Sequence, residues 1–290
     1  MNFKQNQFFT NLIEQKGFIL VALGGFFLSS GGTLFKLFET SDVWAIYFWR
    51  SFFFTPAVLV FLFFSSKNKI IDKFKSLGLI GIFCAALYAT GSGAYMFAMK
   101  HTTVANVLFI ISTQTFMLAV AGYFVLKEKI NLSTFVAIIL AGIGIYIMIG
   151  TKISNGTALG NAFAFITPLC FTTIVIIIRK FHQTDMVPAV ALSGIFCMAA
   201  GAIMTGNLSI NVHDLILAFL FGSLQYAPGF ICLTLGSRTT ESAKVGIFAF
   251  TEAIAGPIWA WIFIHEQPSL GVFVGGFIIF TALLLKTFNK

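Results

Sequence analysis

Charge is scarce in this chain of 290 residues: 10% are Asp, Glu, Lys or Arg, and only 10 are acidic, against about a quarter charged in a soluble globular domain. With 58% hydrophobic residues and 37 phenylalanines, that shortage excludes an ordinary soluble globule. Cysteine is scarce too. Cys84, Cys170, Cys197 and Cys232 fall inside apolar stretches without CxxC spacing, which excludes a disulfide framework and a zinc ribbon and leaves packing as their role. His101, His182, His213 and His265 stand in or beside loops without metal-ligand spacing, so they read as solvated and no metal is expected. A phosphate-cradling GxxxxGK[ST] loop and a sizeable polar domain are both missing. Direct coupling to ATP hydrolysis is thereby excluded, and no cofactor is implied.

What the chain does have is apolar length. Runs of about 20 residues, enough to cross a hydrocarbon core of about 30 Å, predict helices at 17–37, 44–64, 77–99, 104–126, 132–150, 159–178, 187–206, 214–236, 243–264 and 269–285. The expected class is an all-α integral membrane protein with ten transmembrane helices. Pro188 and Pro268 stand near helix starts, where a missing N–H costs little, whereas Pro56, Pro168, Pro228 and Pro257 lie within spans and predict kinks. The first apolar run is too long for a signal peptide and lacks a small-residue cleavage site, so it reads as a retained helix. Alternate threading from an inside N-terminus leaves only Lys100 and Lys152 among the loop bases outside. Both termini are therefore expected in the cytoplasm, with the chain multi-pass in a bacterial inner membrane. The net charge of +8 sits in short connections between spans, which fits a lipid bilayer as partner and argues against nucleic acid.

The two halves match at fixed offsets. Gly17 and Gly160, Lys36 and Arg179, and Asp42 and Asp185 are each 143 positions apart. Tyr88 and Tyr226, Gly91 and Gly229, Lys100 and Arg238, and Glu128 and Glu266 are each 138 apart. The register changes where the first half carries its longer loop around Lys67 to Lys75. The expected units are residues 1–150 and 151–290. Five helices is an odd number, so the second unit enters the membrane from the opposite side, giving an inverted 5+5 structural repeat with a central site between halves.

Several stretches resemble one family. They are "SDVWAIYFWRSFFF", "TTVANVLFIISTQTFMLAVAGYFVLKEKI", "GSLQYAPG", "LGSRTTESAKVG" and "TEAIAGPIWAWIFIHEQPS". Their order and duplication resemble the EamA-type branch of the drug/metabolite transporter (DMT) superfamily over nearly the whole chain. The resemblance implies secondary transport of small metabolites through a central cavity by alternating access, export in many members and uptake in others.

Arg50 and Glu252 are the costly groups, each within an apolar span. Counted along their helices at 1.5 Å per residue, they stand within about one or two turns of the same membrane level. They could share a cavity, Arg50 forking a substrate carboxylate and Glu252 taking an ammonium group or a coupling proton, which points to a small zwitterionic, amino-acid-like cargo. They could equally neutralise each other. Tyr88, Gln114, Gln225 and Tyr226 are further substrate-binding candidates, or else hydrogen bonds between helices. Glu128 and Glu266, where apolar runs end, are expected as structural acids on the N-terminal amides of the helix that follows. Lys36 reads as snorkelling to headgroups, and Trp44, Trp49, Trp259 and Trp261 as interfacial anchors. Gly271 and Gly275, matched by Ser133 and Ala137, promise close helix packing, within one chain or between two, so monomer and homodimer both remain open. An enzyme acting on lipids would need acids, histidines or a nucleophile gathered at one interface, and here they are scattered. A non-transporting membrane protein would have no cavity between its halves.

Overall fold

In lipid every backbone polar group has to be satisfied within the protein, which leaves helices for a chain of this composition. The computed structural model describes residues 16–40, 42–66, 70–102, 107, 110–149, 158–265, 267 and 270–288, and no strand occurs among them. In chain order the helices are α1 (Lys16–Leu37), α2 (Val43–Ser65), a short α3 (Ile70–Ser76), α4 (Gly78–His101), α5 (Ile110–Leu126), α6 (Leu132–Ile147), α7 (Ala158–Lys180), α8 (Val187–Met204), α9 (Val212–Ser237), α10 (Ser242–Ile264) and α11 (Leu270–Leu285). Seven of these, α1, α2, α4, α7, α8, α9 and α10, are long and apolar enough to cross a bilayer, and α5, α6 and α11 are shorter apolar helices. Glu266 and Pro268 lie outside the described residues.

Four helices expected as continuous are interrupted. α1 turns at Ser29 and Ser30, α5 at Thr113 and α10 at Phe250. At each turn a hydroxyl takes a carbonyl one turn back: Ser29 Oγ donates to Phe26 O (2.5 Å), Thr113 Oγ1 to Ile110 O (2.6 Å) and Thr251 Oγ1 to Phe248 O (2.8 Å). That competition with the helical ladder bends or breaks the helix. α9 instead widens into a π-helix over Leu220–Tyr226, closed by Ala227 N–H on Gly222 O, just before Pro228, which has no N–H to give. An apolar count passes over hydroxyls and π-turns alike, so these breaks were invisible in hydropathy.

The helices pair across the two halves of the chain: α2 on α8, α4 on α7, α6 on α11, and α5 on both α7 and the first part of α10. Local contacts recur under the offsets read in the sequence. Asp42 Oδ1 accepts Trp44 N–H and Asp185 Oδ1 accepts Val187 N–H, 143 positions on. Lys127 and His265, 138 apart, both cap helices in the left-handed region, at φ 57° and 56°. α1 meets α9 backbone to backbone: a Cβ on Gly24 would meet Gly229 O at 2.9 Å, and one on Gly236 would meet Gly17 O at 2.6 Å. On the last helix, Gly275 O approaches Gly144 (2.7 Å to a notional Cβ), so Gly275 packs within this chain.

Three expectations change. Glu128 does serve a helix N-terminus, but that of α10: its Oε2 accepts Ser242 N–H (2.9 Å) while Oε1 pairs with Arg179 Nε. The Lys127 turn aims the carboxylate across the structure rather than along the chain. Trp259, expected as an anchor, also bonds within the protein, its Nε1–H donating to Ser29 Oγ (2.8 Å) beside Phe26. His213 is half-exposed but not simply solvated, standing 3.1 Å from Asp214 Oδ1 and 3.9 Å from Glu39 Oε1. Asp214 accepts Glu39 N–H and Thr40 N–H and thereby clamps the α1–α2 link to the start of α9.

Candidate functional site

A cavity with an empty volume of about 800 Å³, its mouth included, opens among α1, α2, α4, α5, α7, α9 and α10. All six candidates read from the sequence, Arg50, Tyr88, Gln114, Gln225, Tyr226 and Glu252, stand on its wall. Three of the four interrupted helices bring residues from at or beside their breaks: Gln114 follows the turn of α5, Glu252 that of α10, and Gln225 and Tyr226 belong to the π-turn of α9.

Arg50 is 1% exposed. Its guanidinium lies 4.2 Å from the ring centre of Tyr226, 5.1 Å from that of Phe221 and 5.2 Å from that of Tyr47, a three-sided cation–π setting. Nη2 donates to Ser92 Oγ, and Nε has no partner. The helix pairing explains the position: a Cβ on Gly222 would run into the Arg50 carbonyl oxygen, so only glycine lets the π-turn press Phe221 and Tyr226 onto the guanidinium. A buried cation without a carboxylate is expensive, and aromatic faces and one hydroxyl offset only part of that cost.

Glu252 sits in the first turn of the second part of α10. Among the described residues no hydrogen bond or ion pair reaches its carboxylate. The mutual neutralisation left open by the sequence is therefore not what the structure adopts: Arg50 and Glu252 line one cavity without forming an ion pair. They are also the only charged residues on the described wall.

The amide candidates differ. Gln225, 5% exposed, donates from Nε2 to Leu28 O (2.8 Å) beside the break in α1, and its Oε1 is left without a partner. Gln114 is buried and lines the cavity from α5. Tyr88 takes up the helix-bridging role as well as lining the wall, its hydroxyl 2.8 Å from Thr234 Oγ1.

Sequence reasoning missed Ser92 and Tyr95, which line the cavity from α4. The signal was present: Tyr88, Gly91, Ser92 and Tyr95 follow an i, i+3, i+4, i+7 spacing, a small and polar stripe on an otherwise apolar helix. The only group of three metal-capable side chains among the described residues, Glu39, His213 and Asp214, lies away from the cavity. Both Asp214 oxygens there already accept backbone N–H groups.

Comparison with known proteins agrees with this architecture. The chain is 20% identical over 296 residues to an uncharacterized transporter of Clostridium kluyveri, covering 95% of this chain and 94% of that one. It is 23% identical over 217 residues to an uncharacterized transporter of Methanothermobacter thermautotrophicus, covering 70% and 60%. A crystal structure of a protein 8% identical superimposes on 95% of this chain and 96% of its own, with a TM-score of 0.77, and shows the shared fold. The EamA-like transporter family matches residues 15–150 and again residues 158–288. This multi-pass chain therefore belongs to the EamA-like transporter family, and it is a membrane transporter.

Proposed function

We propose that the protein is a secondary carrier that moves a small zwitterionic, amino-acid-like metabolite out across the bacterial inner membrane by alternating access, coupled to protons through Glu252. The observation that carries this reading is the pair of unmatched charges on one cavity wall: among the described residues no carboxylate pairs with Arg50 and no base pairs with Glu252. A cargo bearing both signs relieves both at once, and a proton relieves Glu252 when cargo is absent. Two ends of one small molecule meeting two poles of one cavity is the simplest occupant of such a site.

The same proposal includes the membrane arrangement. Seven long and three shorter apolar helices are assigned as ten spans in two inverted sets of five, with both termini cytoplasmic. The α2–α8 and α6–α11 pairs are what a two-fold axis in the membrane plane produces, since each joins a helix to its own repeat counterpart. Equivalent halves can exchange conformations of similar energy, one open to each side. Export, rather than scavenging uptake, is assigned on the family resemblance.

The test is flux in proteoliposomes carrying a pH gradient. Wild-type protein moves a labelled amino acid in a gradient-dependent manner, and Glu252→Gln retains exchange of cargo but loses the response to pH. An unchanged pH response in that variant removes Glu252 as the coupling group.

A further inference from the structure

We propose that the short helix α3, with the turn that leads into α4, is a seat for one anionic phospholipid, its phosphate taken by Lys75 and its acyl chain laid along Ile71 and Leu79. The seat is on the rim of the protein and does not depend on what the cavity carries.

Position is the first argument. α3 joins α2 to α4, two helices each long and apolar enough to cross a bilayer, so it lies where one face of the membrane meets water. Ile70, Lys73, Phe74 and, just past the helix end, Leu77 recur at i, i+3, i+4 and i+7 and form the side turned to the protein. Phe74 and Leu77 pack into the core cluster that holds Met186 and Val187 at the start of α8. Lys73 Nζ meets Asp185 Oδ2 at 2.7 Å. α3 is thus fastened to the body. Gly78 then turns the chain in the left-handed region, at φ 56°, a conformation glycine adopts freely. Across that turn Leu77 goes inward, 5% exposed, and Leu79 outward, 84% exposed.

The second argument is the outer side of α3. Ile71, Asp72, Lys75 and Ser76 are all exposed there, Ile71 at 70%. Ile71 and Lys75 are one turn apart and neighbours on that side. A large apolar side chain beside an ammonium group suits neither water nor hydrocarbon alone. It suits an amphiphile, which brings phosphate to the lysine and hydrocarbon to the isoleucine. A soluble phosphate would meet Lys75 but leave Ile71 and Leu79 against water.

The third argument is charge. Residues 67–76 carry four lysines, Lys67, Lys69, Lys73 and Lys75, against one acid, Asp72. Lys67 and Lys69 lie outside the described residues and act here only through their charge. Lys73 is engaged by Asp185, whereas among the described residues no ion pair engages Lys75. The surplus favours a headgroup of net negative charge over a zwitterionic one.

The experiment uses the full chain in a neutral detergent. Phosphatidylglycerol, phosphatidylcholine, inorganic phosphate and polyglutamate are added one at a time, bound lipid being counted by native mass spectrometry and stabilisation read from the melting temperature. Phosphatidylglycerol is expected to bind several-fold tighter than phosphatidylcholine and to raise the melting temperature, while the two lipid-free anions leave it unchanged. Lys75→Gln is expected to weaken phosphatidylglycerol about fivefold, the share of one lysine at an anionic surface, and to spare phosphatidylcholine. Ile71→Ser is expected to weaken both lipids several-fold, since both lose the chain contact. Lys129→Gln, which removes an exposed lysine between α5 and α6, is expected to bind as wild type does. Each variant's lipid-free melting curve is recorded, and Lys75→Arg is expected to restore phosphatidylglycerol binding, which separates the charge from any change of fold. Equal binding of the two lipids overturns the inference. So does an equal loss in Lys75→Gln and Lys129→Gln, which would make the attraction diffuse, or stabilisation by inorganic phosphate or polyglutamate that matches phosphatidylglycerol.

Discussion

Replacing Arg50 by Gln separates a structural arginine from one that meets cargo, and the structure sets the sizes expected. In the unliganded protein Arg50 gives one charge-assisted hydrogen bond to Ser92 and faces three rings. Together these are worth about 2–4 kcal/mol. Against this stands the cost of keeping a guanidinium buried at 1% exposure with no carboxylate partner, several kcal/mol by itself. Glutamine ends where Arg50 Nε stands, short of Ser92, so it gives up that bond but also removes the unmatched charge, and the unliganded variant is expected to melt close to wild type. Binding behaves oppositely. Loss of a forked bond to a carboxylate costs about 1.5–3 kcal/mol, which is a fall in affinity of about 10- to 100-fold. Arg50→Lys keeps the charge without the fork and falls between the two. The assay is a ligand titration of melting temperature in detergent, using whichever amino acid binds wild type. The reasoning is refuted if Arg50→Gln loses more than about 3 kcal/mol of unliganded stability while its folded fraction binds with unchanged affinity.

Three further outcomes follow from contacts elsewhere. Glu128→Gln keeps an acceptor for Ser242 N–H but loses the ion pair with Arg179, so thermal unfolding should show a loss of about 1–3 kcal/mol, shared in a double-mutant cycle with Arg179→Met. Gly222→Ala pushes a methyl into the Arg50 carbonyl and should cost about 1–3 kcal/mol and weaken cargo binding, whereas Gly206→Ala, with nothing within 4 Å, should stay within about 0.5 kcal/mol of wild type. Burial works to raise the Asp42 carboxyl, but hydrogen bonds from Thr205, Trp44 and Ala45, with the charge of Lys100, hold it below its ordinary 3.8. A depressed acid stabilises the fold above its unfolded value and loses that contribution as pH falls through the folded one. Asp42→Asn should therefore lower the melting temperature at pH 7 and flatten its decline below about pH 4.

The membrane character and the offsets of 143 and 138 were legible because hydropathy and side-chain identity survive without coordinates. Arg50 and Glu252 were legible for the same reason, since a charge inside an apolar run declares its own cost. Their separation was not. Whether two charges at one membrane level touch depends on helix rotation, and here that rotation is set by Gly222 against Arg50 and by a π-turn no periodicity announces. The destination of Glu128 was likewise hidden, because a left-handed Lys127 sends the carboxylate to a helix more than a hundred residues away. Ser92 and Tyr95 show a different failure: their stripe was on the page but carried no charge to draw attention.

The glycine seam between α1 and α9 has a mechanical consequence. Gly17 and Gly24 on one side and Gly229 and Gly236 on the other put bare backbone against bare backbone at positions seven residues apart on each helix. Leu233 lies over Gly24, Leu28 over Gly229 and Val21 over Gly236, so each helix sets its branched side chains into the notches left by the other's glycines. Such a fit is a ratchet: the two helices hold one spacing and one register, and this wall of the cavity keeps its shape while the break at Ser29 and Ser30 leaves the rest of α1 its own direction.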